Sequence, residues 1–121
     1  MSLLKSFQNK VLQYDYWHGT REPGKNFVPG ELRGYYCDLT SKTQVCARST
    51  SDEGVPLIRP EQGRTEILHP VTVCQVALGW YERWISEEDD GAKNKFLALS
   101  DWLIRNQRVN KGIGGVWPMP F

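Results

Sequence analysis

The sequence predicts a mainly α fold built on an antiparallel helical hairpin, with an N-terminal helix and a short β-hairpin or extended segment ahead of it. Three observations predict it. Apolar residues recur at helical spacing in three separate stretches, prolines and glycines break up the chain between the first and second, and only the acidic link EEDDG separates the last two.

The N-terminal helix rests on Leu3, Leu4, Phe7, Val11 and Tyr14, whose spacing gives one apolar face from Ser2 to about Tyr16. This unit, residues 1–17, stops short of Gly19. The next unit, residues 18–69, opens on HGTREPGKNFVPG, which is loop chemistry. Two short strands are then predicted, Gly34 to Leu39 and Thr43 to Ala47, joined as a hairpin through TSK. DEGVPLIRPEQGRTEILHP follows, expected to run extended with Val55, Leu57 and Ile58 turned inward.

Residues 70–106 carry the hairpin of helices. Pro70 suits a first helical turn, where a missing N–H leaves no bond unmade. Val73, Cys74, Ala77, Leu78, Tyr81, Trp84 and Ile85 then form a broad apolar face, and the helix is expected to end near Ser86. EEDDG is a solvated turn that places Asp89 or Asp90 at the start of the next helix, where negative charge is favourable. That helix, about Gly91 to Asn106, has Ala92, Phe96, Leu99, Ser100, Leu103, Ile104 and Gln107 on one stripe. So short a connection implies antiparallel packing. Residues 107–121 form a glycine-rich turn and an apolar tail of Val116, Trp117, Met119 and Phe121, a surface that has to be covered by the fold itself, by a second copy, or by the remainder of a longer protein.

Composition bounds the function. At 121 residues the chain is one small domain or a piece of a larger one. Fifteen basic and fourteen acidic residues give a net charge of +1, which excludes the global field of a nucleic-acid binder. No apolar run approaches the roughly 18 residues of a membrane span. Three widely spaced cysteines, Cys37, Cys46 and Cys74, fit neither a disulfide framework nor a zinc knuckle, so a reducing, cytoplasmic setting is expected.

Candidate chemistry is sparse. GIGG follows a helix instead of opening one, so no dinucleotide cofactor is expected, and the two histidines, His18 and His69, lie at no metal-ligand spacing. His69 suits the entry turn of its helix. His18, within YDYWHG, suits either a sugar platform or core packing. Gln75 is read as a structural hydrogen-bonder to a neighbouring backbone. Arg59 and Arg64 either remain solvated or grip a carboxylate with two parallel bonds. Aromatic residues make up 12% of the chain and supply cores, interfaces and surfaces on which sugar rings stack.

The succession YDYWHG, GYYCDLTSK, DEGVPLI, HPVTVCQVALGWYERW, FLALSDWLIRNQ and GGVWPMPF resembles the D-glucuronyl C5-epimerase family over nearly the whole chain. Order and spacing carry the resemblance, above all Pro70 to Tyr81 and Asp101-Trp102-Leu103 followed by Asn106-Gln107. It implies the lead-in and first helical hairpin of an α/α toroid, acting on a uronic-acid-containing polysaccharide. The reaction removes the C5 proton beside the carboxylate and returns one to the opposite face, turning glucuronate into iduronate. That requires a base, an acid and donors to stabilise the enolate-like intermediate.

Tyrosines carry the protons in the family, in a later part of its helical domain. Tyr35, Tyr36 and Tyr81 are not their equivalents, so the resemblance assigns no catalytic residue and implies a chain inactive alone. The residues themselves offer Trp17, His18, Tyr36 and Trp117 as substrate contacts, with Arg64 on a carboxylate. A binding module without catalysis and a polysaccharide lyase on the same toroid are the alternatives. An unpaired hairpin also implies a homo-oligomer or a missing remainder, and for a eukaryotic family member the Golgi lumen.

Overall fold

The computed structural model describes residues 22–45, 49–60 and 65–120. The predicted N-terminal helix lies outside them. In chain order the elements are α1 (Lys42–Val45), β1 (Leu57–Ile58), β2 (Ile67–Leu68), α2 (Pro70–Glu87), α3 (Asp90–Arg105), β3 (Arg108–Asn110) and β4 (Gly114–Val116). Among the described residues the fold is therefore partly helical, with three helices and two short antiparallel strand pairs.

Local chemistry sets the ends of the long helices. His69 precedes α2 in an extended conformation, its Nδ1 lies 2.8 Å from the Thr72 hydroxyl, and Pro70 occupies the first turn. Glu88 ends α2 in the left-handed region at φ 51°, which turns the chain at once into Asp89. The Asp89 carboxylate accepts from the Gly91 N–H at 2.8 Å, and Asp90 in the first turn and Arg105 in the last complement the dipole of α3. At the far end the Trp102 carbonyl accepts from both the backbone N–H and the Nδ2 of Asn106.

The core lies between α2 and α3. Val73, Val76 and Ala77 meet Leu99 and Trp102, with Val55 added from the preceding turn, and Leu68, Trp80, Phe96 and Leu103 close the edges. The faces differ in detail from the predicted stripes. Cys74 is exposed and Val76 takes its place inside; Ile104 is 70% exposed and Trp102 is buried instead. Residues two apart lie nearly opposite each other around a helix, so in both helices the buried face is turned about the axis, away from Cys74 and Ile104 and toward Val76 and Trp102.

The strand pair predicted at Gly34 to Leu39 and Thr43 to Ala47 is corrected. An Asp38 carboxylate that accepts from both the N–H and the hydroxyl of Thr40, at 2.8 and 2.6 Å, builds a turn, and the chain continues from it into α1. The stretch Gly34 to Leu39 holds one isolated bridge, Pro23 to Cys37. Strand pairing occurs instead in the segment expected to be merely extended, where Leu57 faces Leu68 and Ile58 faces Ile67. The glycine-rich tail is also more regular than predicted. Arg108 to Asn110 pairs with Gly114 to Val116 through a turn in which Gly112 and Gly114 have φ of 100° and 96°.

The back of α2 is covered by the segment from Glu22 to α1. Gly79 makes this possible, because a Cβ there would collide with the Leu39 carbonyl. Asn26 completes the strap: its N–H and Nδ2 both donate to Glu82 Oε1, at 3.2 and 2.8 Å, and Nδ2 also reaches Ser86 Oγ at 2.7 Å.

Candidate functional site: a groove beside the helical hairpin

A groove of about 600 Å³ runs between the turn before β1 and the α2–α3 hairpin. Its floor is the core itself, Val55, Val76, Leu99 and Trp102. One rim carries Thr50, Glu53 and Gly54, the other Trp80, Lys95, Asp101 and Arg105.

Each rim is placed by the fold. On the turn, the Ser51 N–H donates to the Val55 carbonyl at 2.8 Å, the Gly54 N–H donates to the Ser51 carbonyl at 2.8 Å, and the Val55 N–H donates to Ser51 Oγ at 3.2 Å. Gly54 has φ 75°, a conformation that glycine adopts without strain. Val55, buried beside it, locks the turn to the core. On α3, Lys95 and Arg105 stand ten residues apart, about 15 Å along the axis.

Electrostatically the groove pairs cations with rings. Lys95 Nζ lies 4.1 Å from the centre of the Trp80 ring and the Arg83 guanidinium 5.2 Å from it. The Arg105 Nη2 lies 3.6 Å from Glu53 Oε2 across the groove. An apolar floor, the Trp80 indole, two cations and the two carboxylates of Glu53 and Asp101 make a surface of balanced charge suited to a partly apolar, polar-edged ring.

A second, polar cleft of about 480 Å³ lies on the other side of α1, lined by Lys25, Asp38, Gln44, Glu82 and Arg83 among others. Glu82 is only 3% exposed, and its Oε2 accepts no hydrogen bond from any described residue. The same holds for Gln75 Oε1, so the expected structural hydrogen bond to that oxygen is absent among the described residues.

Two of the predicted substrate contacts, Tyr36 and Trp117, fall among the described residues, and neither lines the groove. Trp17, His18 and Arg64 lie outside the described residues. Tyr36 is exposed, but its ring sits 4.5 Å from that of Tyr35, and it does not line the groove. Burial and the hydrogen bond with Tyr36 push the Tyr35 phenol up to about 12, so it remains protonated at neutral pH and accepts no proton there. Trp117 donates from Nε1 to the Leu103 carbonyl at 2.7 Å, which ties the β3–β4 hairpin to the end of α3. Tyr81 packs against Phe96 and Trp84, with ring centres 5.1 and 5.9 Å away, as its place on the apolar face implied.

The groove residues Glu53, Trp80, Lys95 and Arg105 went unmarked in the sequence. Trp80 and Trp102 stand inside helical stretches but off the predicted apolar stripes; what unites them with Glu53 is tertiary. Among the described residues no group of three or more His, Cys, Asp or Glu is placed to hold a metal, and no helix is long and apolar enough to cross a membrane. No family model matches the chain, and no match was found among curated proteins or solved structures.

Proposed function

We propose that this chain is the lead-in and first helical hairpin of a uronate C5-epimerase of the glucuronate-to-iduronate type, and that alone it binds the acidic polysaccharide without turning it over. The observation that carries the binding half is the groove: Lys95 and Arg105 bracket the Trp80 and Trp102 indoles on one surface. A pyranose ring presents apolar C–H faces to such indoles, while its carboxylate calls for a cation. The ordered succession of motifs from YDYWHG to GGVWPMPF supports the family.

Silence in turnover follows from the chemistry. C5 inversion needs a proton carrier on each face of the sugar. The groove offers Glu53 and Asp101 as carboxylates, and among the described residues no tyrosine lines it. The test is twofold. The purified chain should bind a heparosan oligosaccharide in calorimetry, with affinity falling as salt rises. It should also catalyse no exchange of the C5 proton with heavy water. Exchange by the chain alone would overturn the claim of silence, and the absence of binding would remove the groove from the reading.

A further inference from the structure

The groove holds a carboxylate of its own. Glu53 sits on a turn closed by the Ser51 and Gly54 hydrogen bonds and anchored by buried Val55, so the backbone places it opposite Arg105. Its Oε2 lies 3.6 Å from Arg105 Nη2, with the two side chains 59% and 61% exposed. A charge-assisted bond of good geometry is shorter, about 2.7 to 2.9 Å, and a guanidinium offers five N–H donors. Glu53 therefore engages Arg105 loosely, and an exposed pair of this kind opens at little cost.

We propose that Glu53 is a resident competitor: it occupies Arg105 in the free chain and is displaced when a ligand carboxylate takes the guanidinium with two parallel bonds. This inference rests on the reading of the groove as a uronate-binding surface. The rest of the rim carries one charge of each sign, Lys95 and Asp101, so the choice of an anion rests on the Arg105 guanidinium itself. Lys95 rests on the Trp80 ring and has no acidic partner among the described residues, so a second positive charge already faces the groove. Arg105 belongs to a 16-residue helix, whereas Glu53 belongs to an exposed turn, so the anion is the partner that moves aside. The ligand's ring then lies in the groove beside Trp80 with its carboxylate at Arg105. The device sets a threshold: neutral sugars leave Glu53 in place, and only a carboxylated ring gains the strong contact.

Calorimetric titration of a heparosan oligosaccharide into the full chain tests this, using wild type, Glu53→Gln, Arg105→Gln and the double variant. Glu53→Gln should bind about two- to fivefold tighter, the ratio that releasing one exposed ion pair allows. That gain should vanish in the double variant and with a carboxyl-reduced oligosaccharide. Circular dichroism melting of each variant verifies folding, and Glu53→Ala, which lacks the amide, should show the same sign. If wild type binds and Glu53→Gln binds equally or more weakly, the inference falls and the uronate reading stands. A gain that persists with the carboxyl-reduced probe also overturns it. If neither wild type nor any variant binds, both fall together.

Discussion

The two sides of α2 are built on different principles. Toward α3 the helix presents Val73, Val76 and Ala77 to Leu99 and Trp102, an apolar seam in which size and shape decide the fit. Toward the strap from Glu22 to α1 it presents Gly79 and Glu82, which meet the strap through a backbone approach and hydrogen bonds from Asn26. The seam is held by burial, which tolerates small shifts. The strap is held by a few directional contacts, each of which has to be met in place.

Substitutions at the two sides sharpen that contrast. The largest effect is expected at the seam. Trp102→Ala removes a buried indole from the floor and should lower the unfolding free energy by about 3 to 5 kcal/mol in urea titration. A change below 1 kcal/mol would mean that the seam is not the main source of stability. On the strap side, Gly79→Ala adds one methyl group against the Leu39 carbonyl and should cost about 1 to 3 kcal/mol despite its better helix propensity. A stabilised Gly79→Ala would show that the strap does not rest on the helix.

The smallest effect comes from pH. Burial pushes the His69 imidazole below its ordinary value, so the folded state favours the neutral ring. The unfolded chain then binds the proton more readily. Stability from this source is complete above the unfolded histidine value of about 6.5 and is lost as pH falls through the lower folded value. Urea midpoints from about pH 7.5 to about pH 5 should fall for wild type and fall less for His69→Gln. Parallel curves would assign the pH dependence to other groups.

The seam was legible in the sequence because its signals are local. Pro70, a 3.6-residue period and the Asp89 cap place α2 and α3 within a residue or two of Pro70–Glu87 and Asp90–Arg105. Periodicity places Cys74 on the apolar face and leaves Val76 off it, whereas packing turns the buried side of the helix toward Val76, nearly opposite Cys74 around the axis. The strap was not legible. A hairpin strand is expected over Thr43 to Ala47, whereas the turn built by Asp38 and Thr40 starts a helix at Lys42. The candidate site lies further still from local signals. Glu53 and Arg105 meet only because a turn and a helix end share one groove, and no spacing along the chain marks them.

Glu88, with its φ of 51°, leaves only itself and Asp89 between the two long helices. A loop so short loses little entropy on closing, so the α2–α3 pair is a unit of low contact order, the kind of topology that assembles quickly. The strap has the opposite character, since Asn26 finds Glu82 across 56 residues of chain. Those contacts carry their closure cost before they return any stabilisation. In order of assembly, the hairpin is the template and the strap is the late arrival that settles onto its back.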